Sequence, residues 1–251
     1  MQHGLDAGTR MNMLDVYVGF DSREAEAFQI CQQSLVRRSS IPLHVQPVVR
    51  EQMEALGLFH RRWESGDHPG VVIDSLDRRP FSTEFAFTRF LVPFIHPPTR
   101  QWALFCDCDF LFLSDVAELL SLADPKYAVM CVKHEYAPEE RQKMEGQPQS
   151  HYPRKNWSSL VLWNVQHEGT KRLSLTDINA MPGRWLHAFS WLKDEEIGGL
   201  PLAWNWLEGW SPDAVLPHAV HFTRGGPWLR EWKDVNYAHL WRGEKQLREL
   251  S

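Results

Sequence analysis

Apolar positions along the chain come in short runs, and their spacing alternates between continuous and helical. "LDVYVGF" (14–20) is a β-branched and aromatic run that stops at Asp21, and the "DSRE" that follows offers a capping carboxylate three residues before Glu24. Phe28, Cys31 and Leu35 then recur at helical spacing to about Arg38, where "SSIP" closes the helix before a second apolar stretch, Leu43 to Val49. Strand, helix, strand predicts parallel pairing under covering helices. The next segment, His60 to Pro80, is rich in charge, Gly and Pro and reads as a loop. "STEFAFTRFLV" predicts a helix capped by Ser82 or Thr83 that ends near Pro93, and "WALFC" (102–106) a strand buried on both faces. "SDVAELLSL" restarts a helix, with Asp115 and Glu118 in capping-box spacing. Ala128 to Val132 and Leu160 to Trp163 are further strands, separated by a polar stretch from Lys133 to Lys155 that reads equally as a closing lid or a solvated loop. A late strand ends at His221.

Two carboxylates, Asp107 and Asp109, stand at the exit of the "WALFC" strand. The carboxyl end of a buried strand is where open α/β sheets bind ligands, and two nearby anions repel unless a cation lies between them. A hard divalent ion such as Mn²⁺ or Mg²⁺ solves that problem and keeps positions open for phosphate oxygens. The plainer reading is that one aspartate caps the turn and the other is solvated. "HAVHFTRGGPW" (218–228) adds His221 as a nitrogen ligand, and Gly225 and Gly226 as backbone able to approach an anion closely.

Composition narrows the partners. With 251 residues, 43% apolar and 12% aromatic, the chain has ample core, and a net charge of -5 argues against an electrostatic nucleic-acid binder. There is no apolar run of about 18 residues and no signal-peptide core, so no transmembrane segment and a cytoplasmic location are expected. Residues 1–13 read as a loose leader and 14–251 as a single domain. Cys31, Cys106, Cys108 and Cys131 show no CxxC spacing and are expected as free buried thiols. Dinucleotide, P-loop, zincin and hydrolase-elbow motifs are absent. Ten of the twelve tryptophans fall between Trp157 and Trp241, which suits either core packing or a flat platform for sugar rings, with Trp157 and Trp228 beside the motifs.

The order of "VYVGFD", "FTRFLVP", "ALFCDCDFLFL", "WSSLVLWN", "LKDEEIGGLPLAWN" and "HFTRGGPW", from about Leu14 to Lys233, resembles family 8 glycosyltransferases. The resemblance implies an α/β fold of the GT-A type, with a mainly parallel central sheet flanked by helices. It also implies transfer of a sugar from a nucleotide-diphospho-sugar, a UDP-sugar, to a sugar, lipid or protein acceptor, with retention. Asp107 and Asp109 match the family's DxD and His221 its third metal ligand, holding Mn²⁺ or Mg²⁺ against the diphosphate. Arg89 matches the arginine that helps hold the donor, and Asp21 the position that contacts the base. Asn156, Ser158 and Ser159 match the segment that touches the donor sugar, Asp194 and Glu195 an acidic motif near the reacting carbon, and Asn205 the downstream "WN".

Two departures stand out. The family's HxxGxxKPW is one residue shorter here and lacks the phosphate lysine, leaving Lys155, Arg224 and Lys233 as substitutes. The common Asp-Gln-Asp reads Asp194-Glu195-Glu196, an anion in place of the amide. Two other readings use the same residues: a haloacid-dehalogenase-type phosphatase with Asp107 as nucleophile and Asp109 as acid/base, disfavoured by Leu111 and by the late position of the motif, and a non-catalytic nucleotide-sugar or carbohydrate-binding domain.

Overall fold

The computed structural model describes residues 13–66, 72–135 and 154–250. The leader, except Met13, and residues 136–153 of the expected lid lie outside the described residues.

Strand β1 (Leu14–Gly19) is buried at all six positions, as a central parallel strand must be. Asp21 caps a 3₁₀ turn, Ser22–Glu24, that feeds α1 (Ala25–Arg38), and β2 (Leu43–Val48) follows at the sheet edge, where Pro47 removes no needed donor. After α2 (Arg50–Ala55), the segment expected as loop instead holds a small antiparallel sheet, β3 (Trp63–Ser65), β4 (Val72–Asp74) and β5 (Pro80–Phe81). It escaped the pattern because these strands are short and carry little apolar alternation. A buried pair anchors it: Arg61 Nε donates to Asp74 Oδ1 at 3.0 Å, with the guanidinium 4.0 Å from the Phe87 ring centre.

The helix expected over 82–92 is a second correction. The chain turns through 84–87, makes a 3₁₀ turn at Thr88–Leu91, and only then forms α3 (Val92–Ile95). Pro93 is the reason. In a continuous α-helix its ring would meet the carbonyl of Arg89, whereas in the first turn of a new helix it is tolerated.

The chain continues through β6 (Trp102–Cys106), β7 (Phe110–Phe112), α4 (Val116–Ser121, capped by Asp115), β8 (Val129–Cys131) and β9 (Leu160–Asn164). Next come α5 (Glu168–Lys171), α6 (Leu175–Ala180), α7 (Gly183–His187), β10 (Ile197–Gly199), β11 (Trp206–Leu207), β12 (Ala219–His221) and α8 (Ala238–Glu249). Among the described residues the main sheet has six strands in the order β10-β8-β9-β6-β1-β2, and only β9 runs against the others. From β1 the chain passes to β2 on one side and later to β6 on the other, so the strand order reverses beside β1 and β6. A crevice at the carboxyl ends is expected there.

The second sheet, β11-β12-β7, begins where β6 leaves the first one, with Asp107–Asp109 as the crossing. A separate apolar cluster of Ile30, Leu111, Trp206, Val220, Phe222 and Trp241 joins it to α1 and α8, and Arg37 and Arg38 of α1 each bond the buried Glu244 of α8 at 2.6 Å. All four cysteines are free and buried, as expected. No helix among the described residues is long and apolar enough to cross a membrane.

Candidate metal centre

The pairing of β6 with β9 runs one step beyond the strand, with Asp107 N–H donating to the Ser159 carbonyl at 2.9 Å. The chain then turns, and Phe110 pairs with His221 across β7 and β12 while the Asp109 carbonyl accepts from Phe222 N–H at 3.0 Å. Asp107 and Asp109 therefore converge on a turn between two sheets, and not through the alternation of a single strand. Ligand atoms of Asp107, Asp109 and His221 lie within 4.8 Å of one another, near the roughly 3–4 Å that separates ligands held around one cation at about 2.1 Å each.

His221 is fixed on two sides. Its ring stacks on Phe110, with centroids 4.4 Å apart, and Nδ1 bonds Asn205 Oδ1 at 2.9 Å. Asn205 is fully buried, and its Nδ2 donates to Ser159 Oγ at 2.9 Å and to the Asn156 carbonyl at 3.3 Å, which leaves its oxygen for His221. In neutral His221 the proton thus sits on Nδ1, and the Nε2 lone pair faces Asp109 Oδ2 at 3.3 Å. Two acceptors so placed come to rest only with a proton or a cation between them, which is the arrangement a metal ligand pair requires. Asn205→Ala is expected to weaken Mn²⁺ binding by roughly 10–100-fold in a calorimetric titration. Affinity equal to wild type would remove the orienting role.

Arg89 joins the cluster. It is buried, with Nη1 2.8 Å from Asp107 Oδ1 and 3.0 Å from the Ser158 carbonyl. The Asn156–Ser159 segment is also there, but both serine hydroxyls serve the fold: Ser158 Oγ bonds His187 Nδ1 at 2.7 Å and Ser159 Oγ donates to the Asn156 carbonyl at 2.7 Å. Asn156 sits in the left-handed region at φ 63°, and its buried Nδ2 has no hydrogen-bond partner. Lys155 beside it is 4% exposed. The other two substitutes for the missing lysine face elsewhere: Arg224 pairs with Glu208 at 2.8 Å and packs on Trp210 and Trp232, and Lys233 is a solvated neighbour of Asp234.

Several residues expected at the donor are engaged within the fold. Asp21 is fully buried and accepts from Arg23 and from Glu84 N–H, so it holds the turn after β1. Asp194 and Glu195 stand at the amino end of β10, which runs parallel to β6, while Asp107 stands at the carboxyl end of β6. The exposed Asp194 pairs with Arg154, and no contact brings either acid to the metal cluster. The reason is the pairing of "IGG" with β8, which fixes the acidic turn at the start of that strand. Gly225 donates its N–H to the Phe222 carbonyl at 2.8 Å, and a Cβ on Gly225 or Gly226 would strike the rings of Trp232 or Trp228, so close tryptophan packing explains the pair. Trp228 itself packs between Phe222 and Trp241.

Glu24 is a residue the pattern missed. Its carboxylate is 7% exposed and accepts from the thiol of Cys108, between the two aspartates, at 3.7 Å. Burial first, then Asp109 and Asp21, push it up from 4.5 to about 8. The folded chain therefore keeps a proton that the unfolded chain releases above its ordinary value, so this residue's contribution to stability falls as pH rises from about 4.5 to about 8. In metal-free protein, Glu24→Gln should remove that decline and gain on the order of a few kcal/mol over wild type at pH 8 relative to pH 5, read from urea midpoints. Parallel pH profiles would refute the shift. The signal was present in "DSRE", two acids just past a strand end, but capping accounted for both.

No family model matches the chain. Protein CDI of Arabidopsis thaliana is 45% identical over 236 residues, covering 92% of this chain and 85% of that protein. Among solved structures the chain is similar to the glycosyltransferase GlyE of Streptococcus pneumoniae TIGR4, with a TM-score of 0.58 and 14% identity over 92% of this chain and 60% of that one. It is also similar to the galactosyltransferase LgtC solved with donor and acceptor sugar analogs, at TM-score 0.55 and 12% identity, covering 92% and 95%. The bifunctional WbbM gives 0.55 at 15% identity, covering 96% of this chain. The chain thus spans 60% of the GlyE chain and 50% of the WbbM chain. The fold is α/β of the GT-A type, with the mainly parallel sheet that the sequence implied.

Proposed function

The chain belongs to the family of Protein CDI from Arabidopsis thaliana, and we propose that it is a metal-dependent, retaining glycosyltransferase of the family 8 kind that moves a sugar from a UDP-sugar to an acceptor hydroxyl. The observation that carries this reading is the convergence of Asp107, Asp109 and an oriented His221 at the carboxyl edge of a GT-A sheet. A cytoplasmic setting suits four free buried thiols.

Asp107, Asp109 and His221 would hold Mn²⁺ or Mg²⁺. An ion held there would supply positive charge against the diphosphate, where negative charge develops as the bond to the sugar breaks. Arg89 keeps Asp107 and the Ser158 backbone in place, and Asn205 keeps Nε2 of His221 pointed inward. The Asn156 amide, with an unsatisfied Nδ2, donates to a hydroxyl of the donor sugar, and Lys155 next to it supplies the cation that the shortened "HFTRGGPW" lacks. With Asp194 and Glu195 at the other end of their strand, the reading favours front-side displacement, in which an oxygen of the departing diphosphate takes the acceptor proton.

The test is calorimetric titration of UDP, GDP and CMP with and without Mn²⁺, followed by donor hydrolysis. Tight binding of UDP alone among the three, dependent on metal, is expected. A folded protein that binds no nucleotide would sink the reading, and binding without turnover of any donor would leave a non-catalytic domain.

A further inference from the structure

A cleft of about 480 Å³ opens between the ends of β8 and β10 and the segment from Leu207 to Pro212. That volume suits one small ligand. Val132, Leu200 and Leu207 are buried at its base, and Leu202 and the Trp210 indole form its walls. Leu207 pairs with His221 across β11 and β12, so the cleft and the metal ligand share a wall.

His134 also lines the cleft, and its carbonyl accepts from Trp157 Nε1 at 3.1 Å, which ties this wall to the Asn156–Ser159 turn. Its buried Nε2 has no hydrogen-bond partner. Such a group costs stability unless a ligand completes it. Lys133 and Glu135, exposed on the same wall, carry opposite signs, so nothing there selects a charged ligand.

Resting on the transferase reading above, we propose that this cleft is the acceptor site and that it takes an uncharged hydroxyl compound with an apolar body, an alkyl or aryl glycoside, whose polar head pairs with His134. The apolar base takes the alkyl or aryl group, beside the Trp210 indole that lines the cleft and carries Arg224 on its ring, and the head is directed toward the shared wall with His221. A highly charged or purely polar acceptor would leave the base of the cleft unfilled.

The test uses the full chain and three probes: n-octyl β-glucoside below its micellar concentration, methyl β-glucoside and glucose 6-phosphate, titrated into wild type, Trp210→Ala and His134→Ala. UDP with Mn²⁺ is titrated into the same samples. Octyl glucoside should bind about tenfold or more tightly than the methyl compound. Trp210→Ala should erase most of that preference, and His134→Ala should weaken both glucosides, while UDP binding persists in all three proteins. Equal binding of the two glucosides, preference for the phosphate, or an unchanged preference in Trp210→Ala, with UDP binding intact, overturns the acceptor assignment alone. Octyl glucoside binding as expected without UDP binding removes the transferase reading and leaves an apolar-glycoside site.

Discussion

Asp109→Asn should raise the dissociation constant for UDP in the presence of Mn²⁺ by about 100-fold or more, and lower sugar transfer by roughly a thousandfold, while the protein stays folded. Asp109 is the more informative of the two aspartates. Asp107 has a guanidinium at 2.8 Å, whereas Asp109 faces the His221 lone pair at 3.3 Å, the arrangement that calls for a cation. Asn keeps the shape and removes the charge. The same substitution takes away an anion that pushes Glu24 up, so at pH 7 to 8 the metal-free variant should be at least as stable as wild type. That pairing separates a lost ligand from a damaged fold. Metal-dependent UDP binding equal to wild type would remove Asp109 from the site, and a large fall in thermal midpoint would mean that its role is structural.

Much of the fold was legible because β1, β6 and β9 are nearly continuous apolar runs bounded by turn residues, and the capping carboxylates Asp21 and Asp115 stand where such runs give way to helices. The candidate ligands stood out in the sequence because Asp107 directly follows a strand and His221 ends one. What failed had physical causes that a linear pattern does not carry. Pro93 broke an otherwise helical periodicity. Asp21 has the right position for a ligand contact, and its bonds to Arg23 and to Glu84, 63 residues away, are invisible to spacing. Asp194 and Glu195 were aligned by their place in the sequence, yet strand direction decides which end of the sheet they occupy, and that depends on the partner of β10. Glu24 and His134 matter because of what is packed over them, which spacing does not reveal.

Removing the cation that holds the metal turn should cost more stability than removing one of the acids. Arg89→Met is expected to destabilise the metal-free protein by about 3 kcal/mol or more, a fall of roughly 6–12 °C in thermal midpoint for a chain of this size. The guanidinium is buried near the rings of Phe85 and Phe105, 5.2 and 5.4 Å from their centres, forms an ion pair with Asp107 and donates to the Ser158 carbonyl. Methionine fills much of the volume but leaves a mostly buried carboxylate and a backbone oxygen without that donor. Lysine restores the charge but not the planar guanidinium that packs against the rings of Phe85 and Phe105, so Arg89→Lys should recover only part of the loss. Saturating Mn²⁺ then distinguishes packing from electrostatics. If the penalty is the charge on Asp107, a cation at the cluster compensates it, and Mn²⁺ should raise the midpoint of Arg89→Met by more than that of wild type. Equal shifts would mean that Arg89 acts through the Ser158 turn and not through Asp107. A variant as stable as wild type would show that the turn between the two sheets holds its shape without the guanidinium.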